Sequence, residues 1–364
     1  MKNDSVYSIL VVNPGGTSTR VSLYRNEVEL FTENVRHDHA DLERFKGVYD
    51  QLEWRLATVR RLLEEREVPV LDLDAVVGRG PPLVPVPSGT FTVDRPMLKA
   101  IEEGRVLVHH PSLLGAPIAD VLAREAGCPA YIVDPVTVDE MLDEARLTGL
   151  PEVPRRPLSH ALSVKAVSRL AARELGRPLA EVNLIVLHLG SGFTVAAQRG
   201  GRQVDHNDPT ATGPMAPTRA GALPTLDMAR LCFAEGASMA QVEQRVVENG
   251  GWSAHLGTDD IREIYRRVGQ GDASARLVLD ATLHQLNREV GSLYAVLDGR
   301  LDGIALTGGV VRCEVFVGEL ERRIAWIGVP VMIFPGENEM EALSLGALRV
   351  LRGECPARKM PLGG

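Results

Sequence analysis

Strands that alternate with helices, and one strand–glycine turn–strand unit that occurs twice about half a chain apart, predict an α/β protein of two similar halves with a cleft between them. A third glycine turn, late in the chain, enters a helix instead of a strand. The length of 364 residues agrees with two domains.

The first copy of the unit is ILVVNPGGTSTR, residues 9–20. Residues 9–12 read as a short buried strand. Asn13-Pro14-Gly15-Gly16 forces a tight turn, because proline fixes its own φ and the glycines admit positive φ. Residues 17–23, rich in β-branched and hydroxyl side chains, predict the second strand, and residues 27–35 continue an antiparallel meander. Such a tip is an ordinary hairpin turn, or it offers N–H groups and hydroxyls to phosphate oxygens, with Asn13 and Arg20 as partners. It is not a Walker A loop, and it lacks the helix that a dinucleotide fingerprint requires.

Residues 41–65 place Phe45, Val48, Leu52, Leu56, Val59 and Leu63 at helical spacing, which predicts one amphipathic helix with a solvated face of arginines and glutamates. Residues 74–77 form a short strand ending in Gly78-Arg79-Gly80. The prolines of residues 81–89 exclude regular structure and make an extended connector. Helices follow at 112–125 and 159–174, with a strand at 130–133 stopped by Asp134-Pro135. The second copy of the unit is NLIVLHLGSGFTVAAQ, residues 183–198. Helices fill 258–268 and 273–298, and the strand at 303–306 ends in Thr307-Gly308-Gly309. A strand at 329–334 and a helix at 339–352 close the fold, leaving a frayed end of about ten residues.

Composition narrows the function classes. The chain is 45% hydrophobic and 24% charged, with a net charge of −8, so no basic field favours nucleic acid or an anionic membrane. An anionic small substrate would be held by local arginines. Four scattered cysteines lack metal-ligand spacing and suit reduced thiols in the cytoplasm. The N-terminus does not read as a signal peptide, and no run of apolar residues is long enough to span a membrane. His37 and His39, amid charged residues with no third ligand in view, read as exposed rather than as a metal site.

The motifs NPGGTSTR (13–20), GRG (78–80), VDPVTVDEM (133–141), GLPEVPRRPLSHAL (149–162), HLGSG (188–192), LGTDD (256–260), LTGG (306–309) and PGENEM (335–340) stand in order along the chain. In order and spacing they resemble those of the butyrate kinases, acyl kinases of the acetate kinase family within the actin/hexokinase-like ATPase superfamily. The resemblance implies two related ribonuclease-H-like domains: 1–157, completed by the closing helix 341–364, and a nucleotide-binding domain over 158–340. It implies reversible phosphoryl transfer from ATP to butyrate or a similar short or branched fatty acid, with Mg²⁺, in a homodimer or larger homo-oligomer.

A carboxylate is a nucleophile at neutral pH with no proton to remove. The chemistry therefore needs cations that bring two anions together, and donors for the transferring phosphoryl oxygens. The resemblance assigns these roles to Arg79, to Arg219 in MAPTRAGALP and to His160, with His110 in a further family position. It puts Asp134 in the metal and water network beside Asn13 and one of Glu337 and Glu339, since Mg²⁺ on a nucleotide needs only one or two protein carboxylates. Asn13, Gly15, Gly16, Ser18 and Arg20 would face the phosphates. Gly190, Ser191 and Gly192 would give N–H groups to the β-phosphate, and Gly308 and Gly309 would admit adenosine close to the backbone. Asp260, Ile261 and Arg262 align with the adenine and ribose pocket. His188 falls in a family position and equally fits a strand histidine satisfied by backbone.

The chain departs from the family at several of these points. NPGSTSTK is NPGGTSTR here, GRGGLL is GRGPPL, HLGGG is HLGSG and PGEDEM is PGENEM, and residues 208–221 carry fewer acidic side chains before Arg219. Two other functions fit these departures: an acyl kinase for another carboxylate, and a nucleotide-binding protein without phosphotransfer.

Overall fold

A computed structural model describes residues 5–336 and 338–362. In chain order the first elements are β1 (Ser8–Pro14), β2 (Ser18–Arg25), β3 (Val28–Arg36), α1 (His39–Leu42), α2 (Leu52–Glu65), β4 (Ala75–Arg79) and β5 (Thr90–Thr92). Next come α3 (Arg95–Glu102), α4 (Gly115–Ala126), β6 (Ala130–Val133), α5 (Asp143–Arg146) and α6 (Ala161–Glu174). The second meander is β7 (Asn183–Leu189), β8 (Phe193–Arg199) and β9 (Arg202–His206), followed by α7 (Thr225–Cys232) and α8 (Met239–Val247). The remainder is α9 (Gly251–Leu256), α10 (Ile261–Gly269), α11 (Ala273–Val296), β10 (Gly303–Gly308), α12 (Glu314–Ile324), β11 (Val331–Pro335) and α13 (Glu339–Leu351). Among the described residues no helix is long and apolar enough to cross a membrane.

The chain divides into two compact units, Met1–Asp139 with Asn338–Gly364, and Glu140–Glu337. The first boundary lies ahead of the 157/158 junction read from sequence. The intervening segment is committed to the second unit: Leu142 N–H donates to Val204 O, Arg155 pairs with Asp205, and the Glu140 carboxylate meets buried Lys165 and the Gln203 N–H.

Each unit holds one mixed sheet. The first is ordered β3-β2-β1-β4-β6-β5 and the second β11-β10-β7-β8-β9. Written from the meander outward, β3-β2-β1-β4-β6 and β9-β8-β7-β10-β11 follow one plan. In each, three antiparallel strands lead into two further strands parallel to the first of them. The repeated hairpin of the sequence is thus the start of a repeated sheet.

The central strands are apolar on both faces because helices cover both. Leu10 and Val12 pack with Leu56, Val59 and Leu63 of α2, and Ile185 and Leu187 pack with Leu279, Leu283 and Leu286 of α11. Burying each such side chain contributes about 1.5–3 kcal/mol. At the centre of the first sheet, β4 meets the start of α4 so closely that a Cβ on Gly78 would lie 2.1 Å from Gly115 O. Only glycines allow that approach.

Three expectations are corrected. The helix read over 41–65 is interrupted: α1 ends at Leu42, and a turn through Gly47 separates it from α2. The end of the chain is docked, since Arg358 exchanges backbone hydrogen bonds with Thr90 and Thr92 of edge strand β5 and Met360 is buried in the core. Unpaired edge groups supply the reason, as they gain partners from the tail. The turn at 15–16 needs no positive φ, because neither Gly15 nor Gly16 lies in the left-handed region and a Cβ on Gly16 would meet nothing within 4 Å. We therefore expect Gly16→Ser to leave stability within about 0.5 kcal/mol of the parent in a denaturant titration.

Candidate active site

In the first unit, β1, β4 and β6 run parallel, with Val12 beside Gly78 and Arg79 beside Val133. Their carboxyl ends therefore carry Asn13, Arg79 and Asp134 along one edge of the sheet, where ligands of open α/β sheets bind. The α13 N-terminus brings Glu339 to the same edge. Asn13 Nδ2 donates to Glu339 Oε2 at 2.8 Å, and the other carboxylate oxygen of Glu339 pairs with Arg79. Arg79 is itself a strand residue, and its side chain and that of Glu339 are each nearly buried. Of the two glutamates read from PGENEM, Glu339 is the one seated beside Asn13; Glu337 lies outside the described residues.

Asp134, buried and at φ +39°, accepts from Ser88 Oγ at 2.6 Å and from Gly89 N–H at 2.7 Å through one oxygen. It therefore fixes the end of the proline-rich connector. His110 is exposed, and its Nδ1 accepts from the Ser112 N–H at 3.1 Å. Arg20 lies across the hairpin from Asn13. Gly15 N–H donates to Ser18 O at 2.8 Å, which closes the turn. Among the described residues no acceptor meets the N–H of Gly16 or Thr17, and both residues are exposed.

Beneath this turn the structure holds residues that sequence patterning misassigned. Arg55 is fully buried rather than part of a solvated face. His37 is buried too, its Nε2 2.8 Å from Thr19 Oγ1 and its ring against Trp54, whereas His39 is exposed beside Glu43. Burial, reinforced by the Arg55 charge, lowers the His37 pKa from 6.5 to about 4. Between those values the unfolded chain takes up a proton that the folded chain refuses, so stability is present above pH 6.5 and lost as pH falls towards 4. We expect this histidine to account for roughly 3 kcal/mol of acid destabilisation. Urea titrations at several pH values check this, since His37→Gln should flatten the slope across that window.

In the second unit the carboxyl ends of β7, β10 and β11 carry the corresponding groups. His188, near the end of β7, stacks on His160 with ring centroids 4.1 Å apart and planes 17° from parallel. His160 sits at the α6 N-cap with Nδ1 2.8 Å from the Thr194 hydroxyl, and Thr194 lies opposite His188 on β8. Thr194 thus orients the histidine. Hydroxyl residues are too common in strands for the sequence to single it out.

Gly190 N–H turns inward to Gly192 O at 3.3 Å and is not among the turn's open donors. No acceptor among the described residues meets the N–H of Ser191 or Gly192. Ser191 O accepts from Thr218 N–H at 3.1 Å, which ties the Arg219 loop to this turn. A Cβ on Gly192 would lie 3.2 Å from Arg219 Cγ and 3.3 Å from Nε, so the arginine side chain lies directly against it. Arg219 makes no ion pair among the described residues, and burial lowers its pKa.

Gly308 has φ +102°, and a Cβ there would stand 2.3 Å from Leu189 O. Strain and overlap together predict that Gly308→Ala destabilises by at least ~3 kcal/mol in a denaturant titration. Gly309, by contrast, is exposed with open space around it. Farther along, Asp260 caps α10, which begins with half-buried Ile261. The Asp260 carboxylate takes both Nε and Nη2 of Arg262, at 3.0 and 2.7 Å, and the Arg262 side chain is otherwise exposed. Among the described residues these three form no hydrogen bond to the glycine turns; Arg262 is held by Asp260. Among the described residues no group of three or more His, Cys, Asp and Glu side chains is placed to hold a metal ion.

Residues 152–331 match the Acetokinase family. The chain is 42% identical over 349 residues to “Probable butyrate kinase 2” of Caldanaerobacter subterraneus subsp. tengcongensis, covering 96% of this chain and 98% of the relative. It is 39% identical over 354 residues to butyrate kinase 2 of Clostridium acetobutylicum, covering 97% and 99%. The fold resembles the crystal structure of Porphyromonas gingivalis acetate kinase, with a TM-score of 0.74, 19% identity, and coverage of 93% of this chain and 98% of that one. A propionate kinase from Francisella tularensis gives a TM-score of 0.73 at 18% identity, with the same coverage. These likenesses agree with the two-domain actin-like ATPase architecture. The chain belongs to the acetokinase family, among its butyrate kinases.

Proposed function

We propose that this protein transfers the terminal phosphoryl group of ATP, reversibly, to butyrate or a similar short or branched carboxylate, giving ADP and an acyl phosphate. The observation that carries this function is Arg219, a partly buried arginine with no ion pair among the described residues, lying against a turn whose Ser191 and Gly192 N–H groups meet no acceptor. Such a group lacks only an anion. Membership among the butyrate kinases supports a carboxylate as acceptor.

In this function a carboxylate oxygen attacks the terminal phosphorus, and the bond from phosphorus to the ADP oxygen breaks. The nucleophile carries no proton, so no general base is required. Arg219 neutralises the transferring group, His160 donates to it from an orientation fixed by Thr194, and Arg79 holds the acyl carboxylate or its phosphoryl oxygen. The Gly16–Thr17 and Ser191–Gly192 N–H groups hold phosphate oxygens, and Gly308 lets the nucleoside approach β10. Asn13 and Glu339 suit a hard cation that needs one or two protein oxygens, with Asp134 stiffening the neighbouring loop. Mg²⁺, when bound there, would screen phosphate charge.

An assay that traps acyl phosphate as hydroxamate tests the proposal with ATP and acids from acetate to branched valerates. Hydroxamate from C4 or C5 acids is the expected result. Nucleotide turnover with glycerol or hexoses, and none with the acids, would reject it. We also infer a homo-oligomer, supported by the exposed Leu226, Phe233 and Met239 on and beside α7 and α8; light scattering would read a single-chain mass if this is wrong. The four free cysteines suit the reducing cytoplasm.

A further inference from the structure

Arg55 lies behind the β1–β2 turn and has no part in the chemistry assigned above. Its Nη1 donates to Ser18 O and Thr19 Oγ1, each at 3.0 Å, its Nη2 to Gly16 O at 3.3 Å, and its Nε to Gln51 Oε1 at 3.0 Å. All four acceptors are neutral, and no carboxylate pairs with Arg55 among the described residues. The Thr19 hydroxyl is shared with His37, whose own N–H donates to Thr17 O at 2.8 Å.

A fully buried guanidinium without a counter-ion is expensive, and an apolar side chain on α2 would fill the space at lower cost. Core packing alone does not explain it. Arg55 and His37 instead account for the carbonyls of Gly16, Thr17 and Ser18, three in a row. In a trans peptide the N–H opposes the preceding carbonyl, so the pull on Gly16 O aims the Thr17 N–H away from the core.

We propose that Arg55 is a positioning residue for phosphoryl transfer: it fixes the turn at Gly16–Ser18 with the Thr17 N–H facing the phosphoryl oxygens, and sets an unneutralised positive charge behind it. The proposal rests on the acyl kinase function above. It places the determinant of the turn's geometry on a helix remote in sequence from the glycines, where Gly16 itself supplies neither a needed φ nor a needed close approach.

Steady-state kinetics in the ATP-forming direction, with butyryl phosphate and ADP as substrates, test this on Arg55→Lys and Thr19→Val beside the parent chain. Arg55→Lys keeps the charge but loses the fork that spans three acceptors. Thr19→Val removes only the shared hydroxyl. We expect kcat/KM for butyryl phosphate to fall about 10–100-fold in Arg55→Lys and several-fold in Thr19→Val, in line with the cost of small misplacements. The KM for ADP, assigned to the second unit, should stay within about two-fold, a split that general destabilisation does not produce. Parent-like kcat/KM per folded molecule in both variants would overturn the proposal, as would a matching rise in the KM for ADP. If Arg55→Lys does not fold, Thr19→Val decides alone. A parent chain that forms no ATP would overturn the acyl kinase function and this inference together, whereas an active parent with indifferent variants would overturn this inference only.

Discussion

Arg219→Ala is expected to lower turnover by about 10³–10⁵-fold while the protein stays folded, the effect typical of an arginine that stabilises a transferring phosphoryl group. Two features separate the catalytic loss from a structural one. Arg219 makes no ion pair among the described residues, so its removal strands no carboxylate. Its loop is held by backbone instead: Thr218 N–H donates to Ser191 O, and Ala216 N–H to Arg219 O at 3.0 Å. Stopped-flow or coupled assays of turnover, with a denaturant titration alongside, check both halves. Near-parent turnover would remove Arg219 from the mechanism.

Arg79→Ala is expected to cost as much turnover and to destabilise as well. Its side chain pairs with Glu339 where both are almost buried, and deleting one member of such a pair costs about 3–5 kcal/mol. Asn13 remains as a partner for Glu339 and should keep the loss near the lower figure. Arg79→Lys separates the two effects: it restores a charge to Glu339 but not the bidentate fork that suits a carboxylate or phosphate. Stability should recover in this variant and turnover should not. Recovery of both would assign Arg79 a structural role only.

Much of the fold was legible because its signals are local. A buried apolar run, a Gly-containing turn and a β-branched run specify a hairpin without help from the rest of the chain, and the chain writes that unit twice. The shared strand order of the two sheets, by contrast, depends on pairings between distant segments that periodicity does not encode. The break between α1 and α2 is masked in the sequence, because Phe45 and Val48 continue the apolar spacing across Gly47. Arg55 was hidden for a related reason. On an amphipathic helix an arginine among glutamates reads as solvated, and only the fold shows that this one is roofed by the β1–β2 turn. The place of Glu339 beside Asn13 and Arg79, both far away in sequence, likewise required three dimensions.

Phosphorus NMR of the intact protein with ATP, Mg²⁺ and butyrate tests the central claim most directly. An acyl phosphate resonance that grows with ADP, and that disappears when the carboxylate is left out, is the predicted result. ADP accompanied only by inorganic phosphate, or ATP left unchanged across acids from acetate to branched valerates, would contradict it.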